Sequence, residues 1–445
     1  MPSAITLMAL AMTLTLSDNV QAEANNLMRV YDLAVQNDAT FRASQHARDA
    51  AVEARPQARA ALLPQITGAY NYGESTETGT ESFQGQPETA IDRDSSNSGL
   101  SVSLNQALFD WEAFQRLRQS GEQVALAETT FRAASQDLIL RVAEAYFGVL
   151  SAADALRSTD AENKAVERQL EQARRRFEVG LSAITDVQEA QARYDLTVAN
   201  VIQAQQALDV AKEALAEITA EPLTGVDSLQ DDFPLPIPNP PDIGAWVASA
   251  RDANLDLLIA QYNRDIAGRD VGIARARHLP TVGASAQYSD NDSDGSRFSG
   301  ESETESFGVQ VNVPIFAGGA TQSGVRQALA TRSQRESEYE GTRRLVERNT
   351  RDAYQAVVTG AARVKAFKQA VLSNTTALEA SETGLEVGTR TAVDVLNAQQ
   401  QLYLAERNYY QSRYDYLLAV LRLKSAAGKL NSQDLAEIDR LLVKG

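Results

Sequence analysis

The segment FEVGLSAITDV, residues 177–187, returns later in the chain as LEVGTRTAVDV, residues 385–395. A second pair of similar segments lies upstream in the same order, SLNQALF at 103–109 and QVNVPIF at 310–316. Similar segments that keep their order along a chain indicate duplicated structural units. The sequence therefore predicts two homologous repeats.

Proline marks the boundary between the repeats, because it disrupts both helix interiors and β-ladders. It is concentrated in FPLPIPNPP, residues 233–241. A run of this composition is typical of an extended linker. The sequence thus predicts a first repeat at residues 23–232, a linker at 233–242 and a second repeat at 243–445.

The stretches without proline predict long helices. The segment from Trp111 to Val179 lacks proline and has Gly121 and Gly148 as its only glycines. A single helix of that length would extend for about 100 Å at about 1.5 Å per residue. Such a helix is far longer than the helices of globular domains.

Each repeat is expected to end in a pair of antiparallel helices. Small and apolar residues recur at alternating steps of three and four over residues 187–218 and again over 395–426. This is the spacing of a coiled coil. Each stretch follows a glycine-containing segment, 180–186 or 388–394, that predicts the tip of a helical hairpin, since glycine accepts positive φ.

Four short segments alternate polar and apolar residues with the period of a β-strand. They lie at residues 65–72, 99–107, 281–288 and 307–313. We expect two β-hairpins, 65–107 and 281–314. The segments between the strands, 73–98 and 289–306, are rich in Ser, Gly, Asp and Glu and are expected to be acidic loops in water.

The small number of strands predicts that the chain associates with copies of itself. Four strands leave open edges, which in lipid cost several kcal/mol per unpaired backbone group. About eight strands are needed to close a barrel. A dimer would supply eight strands and a trimer twelve, and the strand count leaves both open.

The first residues have the pattern of an export signal. An apolar run at residues 4–16 precedes Val20-Gln21-Ala22, a small-x-small cleavage site, so residues 1–22 are expected to be a signal peptide cut before Glu23. An apolar stretch of about 18 residues does not follow. These features indicate a secreted or periplasmic protein, or an outer-membrane β-barrel.

Composition excludes several classes of function. The 445 residues include 42 Lys and Arg against 59 Asp and Glu, a net charge of −17, which repels phosphates and argues against nucleic-acid binding. Cysteine is absent, and His46 and His278 are the only histidines. The chain therefore cannot form a thiolate zinc site, and it has few residues for histidine catalysis. We expect no catalytic residues, no metal site and no cofactor.

Several of these segments resemble motifs of the TolC family of outer-membrane efflux channels. They are LLPQ at 62–65, VGLSAITDVQ at 179–188, PIFAGG at 314–319 and EVGTRTAVDVL at 386–396. The resemblance implies a mixed α/β membrane protein. Its four strands per protomer would form a 12-stranded trimeric transmembrane β-barrel, continued by a long antiparallel coiled-coil α-helical barrel and encircled by a belt made from the linker and chain ends.

The resemblance also implies a function and partners. A homotrimer would sit in the outer membrane of a Gram-negative bacterium, in contact with its lipid, with a large periplasmic extension. It would act as the passive exit duct of a tripartite efflux pump or a type I secretion system. Its cargo would be drugs and other small toxic molecules, with proteins as a further class. A periplasmic adaptor (membrane fusion) protein and an inner-membrane pump of RND, ABC or MFS type would be its partners.

The family closes its periplasmic tip with bonds between helical hairpins, and the resemblance carries these over by position. Thr185 and Asp186 match the acceptor side of the bonds, and Arg390 matches the donor. Leu385 stands where a relative has tyrosine, so the hydroxyl bond of that tyrosine cannot form here.

Two further features of the family fall on the same segments. Asp394 matches the first of two aspartates that form cation-selective rings, whereas the second has become Asn397. Gly180 and Gly388 match the tip glycines at which the adaptor docks.

Simpler interpretations compete with these assignments. Asp186 and Asp394 are also expected to cap the helices that follow them. A periplasmic coiled-coil adaptor or structural protein would share the helical hairpins. An adaptor, however, has one hairpin with flanking lipoyl-like and barrel segments, and an adhesin would lack the paired amphipathic strands.

Overall fold

The computed structural model of the protein describes residues 26–82, 89–223, 225–295 and 299–443. The signal peptide expected at residues 1–22 lies outside them. The protein is mostly helical, with one four-stranded antiparallel sheet and a second sheet of two short strands.

The first half begins with three short helices, passes through a β-hairpin and ends in two long helices. The elements are α1 (Leu27–Asn37), α2 (Ala39–Val52), α3 (Ala54–Ala60), β1 (Gln65–Glu81), β2 (Thr89–Phe109), α4 (Trp111–Glu178), α5 (Ile184–Thr219) and β3 (Ser228–Leu229).

The second half repeats this order of short helices, β-hairpin and long helices. Its elements are α6 (Ile243–Ala253), α7 (Leu255–Ala276), β4 (Thr281–Asp294), β5 (Gly300–Asn312), α8 (Ala320–Glu386), α9 (Ala392–Ala426), α10 (Ser432–Asp439) and β6 (Leu442–Val443).

Two helices are exceptionally long. Helix α4 has 68 residues and α8 has 67, so each extends for about 100 Å at about 1.5 Å per residue. The Asp110 side chain begins α4 by accepting a hydrogen bond from the Ala113 N–H at 2.9 Å, as an N-cap does. The single helix expected between Trp111 and Val179 is confirmed. In the described part of the chain, no helix combines the length and the apolar character that crossing a membrane requires.

The coiled-coil spacing also corresponds to the packing. Helix α5 buries Ala190, Thr197, Leu208 and Leu215, and α9 buries Leu402, Ala405, Tyr416 and Leu423. These positions belong to the predicted seams. Helix α4 packs against both α5 and α9, and α9 also packs against α8.

The largest hydrophobic core lies midway along the helices. It joins α4 between Leu138 and Leu150 to α1, to the C-terminal half of α9 and to α10. The Tyr416 hydroxyl of this core donates to the Pro236 carbonyl at 2.6 Å, and the Trp246 Nε1–H donates to the Pro240 carbonyl at 2.9 Å. The linker is thus fixed to the middle of the bundle.

The four-stranded sheet has the order β1-β2-β4-β5, with β1 and β5 at its edges. The strands are much longer than expected, because the pairing continues through most of residues 73–98 and 289–306. The prediction of acidic loops there was wrong. Ser and Thr alternate with acidic residues in these segments. Polar side chains join the paired strands; for example, the Thr76 hydroxyl donates a hydrogen bond to Asp94 Oδ1 at 2.7 Å.

Candidate functional site

The two hairpin tips have the same backbone geometry. Gly180 has φ 76° and Gly388 has φ 79°, values that favour glycine. The Leu181 N–H donates to the Arg176 carbonyl at 2.7 Å, and the Thr389 N–H donates to the Gly384 carbonyl at 2.8 Å. These bonds satisfy carbonyls at the helix ends. No described atom lies within 4 Å of where a Cβ on either glycine would stand, so the outer surface of each turn is open.

The side chains at the two tips differ in chemistry. At the first tip Phe177, Val179 and Leu181 are 42%, 69% and 69% exposed. At the second tip Val387 is exposed beside Thr389, Arg390 and Thr391. The first tip is therefore apolar and the second polar.

The two aspartates near the tips play different local roles. The Asp394 carboxylate accepts a hydrogen bond from the Thr391 N–H at 2.8 Å, and the Thr391 hydroxyl accepts one from the Asp394 N–H at 3.2 Å. This reciprocal pair is a capping box. Hydrogen bonds from the Thr391 backbone and side chain lower the pKa of Asp394. Helix α5 instead begins after Ala183 without a side-chain cap.

The expectation that either aspartate is itself the N-cap was therefore wrong. Thr391 is the N-cap of α9, and Asp186 lies in the first turn of α5. Both carboxylates nevertheless stand close to the positive end of a helix dipole, where negative charge is favourable.

The residues expected to constrain the tip lie on neighbouring elements of the chain. Thr185 is exposed and Asp186 half-buried at the start of α5, while Leu385 is half-buried at the end of α8. Arg390 is exposed, with its aliphatic part packed over Gly384. Among the described residues, the ion pairs within one chain do not join Arg390 to Asp186.

Asn397 has a partner that the sequence did not reveal. Arg193 of α5 donates to Asn397 Oδ1 at 3.2 Å and to Gln400 Oε1 at 2.9 Å. Just beside it, Leu396 joins Val166 and Ala190 in a small apolar cluster. The Arg193 hydrogen bonds and this apolar cluster join the two helical hairpins of one chain close to the tip. No local sequence signal marks Arg193, since its partners lie far along the chain.

A second set of polar contacts lies along the seam between α4 and α9. The Tyr414 hydroxyl donates to Asp154 Oδ2 at 2.6 Å, and Arg407 donates to Glu162 Oε2 at 2.9 Å. Glu162 is only 4% exposed. Burial and the neighbouring Asp154 raise the pKa of Tyr414, so its hydroxyl remains a donor. The sequence analysis did not predict this network, because its partners lie far apart in the chain.

The four-stranded sheet has one apolar face close to the helices. Ile66, Leu104, Ala286 and Phe307 form a row across all four strands, and Ile66 and Phe307 are 69% and 79% exposed. Large exposed apolar surfaces on a sheet mark contact with lipid or protein. Among the described residues, clusters of His, Cys, Asp and Glu suited to holding a metal ion are absent.

A sheet with an apolar face, set on helices about 100 Å long, is the architecture of a membrane channel subunit with a long helical extension. The comparison with known families agrees, because the outer membrane efflux protein family matches residues 30–221 and 246–429. The chain belongs to this family, whose members are channel components of the outer membrane, and this confirms the resemblance drawn from the sequence motifs.

Individual relatives cover nearly the whole chain. The chain is 37% identical to outer membrane protein TolC of Vibrio cholerae over 431 residues, covering 96% of this chain and 95% of that protein. It is 34% identical over 428 residues to the alkaline protease secretion protein AprF of Pseudomonas aeruginosa, covering 95% and 89%.

Solved structures share the fold. VceC of Vibrio cholerae superposes with a TM-score of 0.74 at 20% identity, over 90% of this chain and 96% of that chain. CusC gives a TM-score of 0.76 at 18% identity, over 91% and 92%.

Proposed function

We propose that three copies of this chain form the outer-membrane exit duct of an efflux pump or a type I secretion system. The observation that carries this proposal is the sheet, whose edge strands β1 and β5 lack a partner on their outer sides among the described strands. Pairing β5 of one subunit with β1 of the next would satisfy both edges. Three subunits would close a 12-stranded barrel around an aqueous passage.

The helices support the same arrangement. Helices α5 and α8 flank the bundle, and they expose Leu196, Ile202 and Leu372 at 52%, 67% and 57%. Apolar side chains exposed along two flanking helices would be buried if α5 of one subunit packed against α8 of the next. The helices would then continue the barrel as a long antiparallel coiled-coil cylinder.

The architecture is proposed to come from duplication. The repeats at residues 23–232 and 243–445 would each supply one β-hairpin and one long helical hairpin, and the linker at 233–242 would lie in the belt around the middle. The two separate family matches, residues 30–221 and 246–429, support this division.

The periplasmic tip is proposed to be the gate. Arg390 of one subunit would donate to Asp186 and Thr185 of its neighbour, a charge-assisted contact that holds the tip closed. Leu385 would add packing rather than a hydroxyl bond.

Selectivity and docking are proposed for the remaining tip residues. Three Asp394 carboxylates around the axis would attract cations. Asn397 would supply no charge at the second ring. The open surfaces at Gly180 and Gly388 would admit the hairpins of a periplasmic adaptor.

The names of the relatives support the proposed cargo. The printed name of AprF describes secretion of a protease, and the family is described by efflux. We propose that this duct accepts drugs, other small toxic molecules and proteins from an inner-membrane pump of RND, ABC or MFS type, through the adaptor.

The test is to purify the full chain from outer membranes in mild detergent. A trimer that migrates as such until heated, and that forms single channels in planar bilayers, is the expected result. A monomeric protein without channel activity would refute the proposal. Recovery of the protein from the soluble periplasm would instead favour an adaptor or structural role.

A further inference from the structure

The pairing register assigns every residue of the four long strands to one of two faces. Successive residues of a strand point to opposite faces, and residues paired across an antiparallel ladder share a face. One row across the sheet is Ile66, Leu104, Ala286 and Phe307; the adjacent row is Thr67, Ser103, Gln287 and Ser306. The first face is the apolar one.

The second face carries no charge over most of its length. Its uncharged part consists of the odd-numbered residues of 65–75, 95–105 and 281–293 and the even-numbered residues of 300–312. Each of these described positions is Ser, Thr, Asn, Gln, Gly or Ala. Near the middle of this face, a Cβ built on Gly99 would collide with the Asn291 side chain and lie 3.0 Å from Asn71 Oδ1. Amide groups therefore cover the backbone there.

Most acidic residues of the strands fall on the apolar face, farther from the helices; Glu77 of β1 is an exception and lies on the second face, opposite Arg93 of β2 in the register. Those on the apolar face include Asp290, Asp292 and Asp294 of β4 and Glu301, Glu303 and Glu305 of β5. In the register, Asp290 lies opposite Glu303, and both share a row with Leu100 and Tyr70. Tyrosines on the lipid side of a barrel mark the membrane boundary, so these acids lie at and beyond that level.

We propose that the barrel segment of this channel has an electrically neutral lumen between its helical end and the level of the Ser75–Ser95 pair, and that the acidic residues of β4 and β5 face outward. This proposal rests on the proposed trimeric barrel. Apolar side chains must contact lipid, so the opposite face lines the passage. A lumen of hydroxyls and amides offers hydrogen bonds to any polar cargo but does not select it by charge. Charge selection in this duct then arises at the helical end, where Asp394 lies.

Adjacent residues on opposite faces provide a matched test. We compare Asp290→Asn, which removes an outward charge, with Ser289→Asp, which adds a charge to the lumen one residue away. A second pair, Glu303→Gln and Thr304→Glu, does the same on β5. The measurement is the permeability ratio of K⁺ to Cl⁻, from single channels in planar bilayers under a KCl gradient.

The neutralised variants, Asp290→Asn and Glu303→Gln, are expected to keep the wild-type ratio. The lumen variants are expected to raise it by about twofold or more, because three new carboxylates would act on ions within a narrow passage. All variants are first confirmed as heat-modifiable trimers, so that a misfolded protein is not scored.

A changed ratio after Asp290→Asn or Glu303→Gln would overturn the proposal, as would an unchanged ratio in both lumen variants. If the wild-type protein forms no channels, the proposed function fails instead, and the two failures are distinguished.

Discussion

Asp394 has one role in the structure of a single chain and a second, proposed role in the trimer. Its carboxylate closes the capping box with Thr391, and in the proposed trimer the same carboxylate contributes to the ring at the tip. The local role could be foreseen in part from the sequence, because Thr391 and Asp394 have the spacing of a capping box. The Arg193 contact with Asn397 could not, since it depends on how α5 packs against α9.

Replacing Asp394 tests its proposed role in the ring. Asp394→Ala and Asp394→Asn are both expected to weaken block of the channel by divalent and trivalent cations, because each removes the charge. Asn retains an acceptor for Thr391, so it separates charge from helix capping, which is worth about 1 kcal/mol. Asn397→Asp is expected to strengthen the block. Equal block in wild type and Asp394→Asn would place the cation site elsewhere.

Arg390 offers a test of the closed tip. Arg390→Ser removes the proposed donor to Asp186 and Thr185, and the single-channel conductance in planar bilayers is expected to rise because the tip is less constrained. Arg175→Ser is the control, since Arg175 is an exposed residue beside the first tip. A conductance that does not change in Arg390→Ser would remove this residue from the gate.

At the scale of elements, the helices were more predictable than the strands. The absence of proline predicted α4, and the heptad spacing predicted the buried positions of α5 and α9. Both signals are local in the sequence. The outer halves of the strands were mistaken for loops, since Ser, Asp and Glu are typical of loops. Their alternation, as in Asp290, Asp292 and Asp294, was nevertheless a period-two signal. The polar contacts between α4 and α9 were missed because their partners are far apart in the chain.

The seam between α4 and α9 should respond to pH through Glu406. Burial raises the pKa of Glu406 and outweighs the hydrogen bond from Ser158 and the charges of Arg407 and Arg157, which lower it. A raised pKa means that the fold favours the protonated carboxyl. The stabilisation from Glu406 is therefore full below its ordinary pKa of about 4.3 and is lost as the pH rises through its pKa in the folded protein.

Glu406→Gln removes this titration. The variant is expected to unfold at a higher temperature than wild type at pH 8, with the difference vanishing near pH 4, as followed by circular dichroism in detergent. Glu379→Gln, at an exposed position on α8, is expected to show no such difference. A lower unfolding temperature for Glu406→Gln at pH 8 would show that the ionised carboxylate stabilises the seam.

At the scale of the whole molecule, the proposed assembly uses surfaces that a single chain leaves open. The two free sheet edges, the apolar face of the sheet and the flanking helices all need partners. The open edges could be anticipated from the sequence, because four strands are too few to close a barrel. The choice of three subunits came from the family resemblance.

Loss of the protein is expected to sensitise cells to toxic compounds. In a strain without its other outer-membrane efflux channels, deletion should lower the inhibitory concentrations of dyes, detergents and antibiotics severalfold, and a plasmid copy should restore them. The empty plasmid is the control. Unchanged sensitivity after deletion would separate this protein from small-molecule efflux and favour protein secretion as its task.

The length of α4 beyond the central core has a mechanical consequence. The helix is anchored in that core as far as Leu150 and then continues to Glu178, packed against α5 and α9. This part of the bundle therefore forms a lever about 40 Å long at about 1.5 Å per residue. A rotation of about 5° at its base would move the hairpin end by about 4 Å. Small adjustments near the middle of the molecule are thereby amplified into displacements comparable to the width of a water molecule or a side chain.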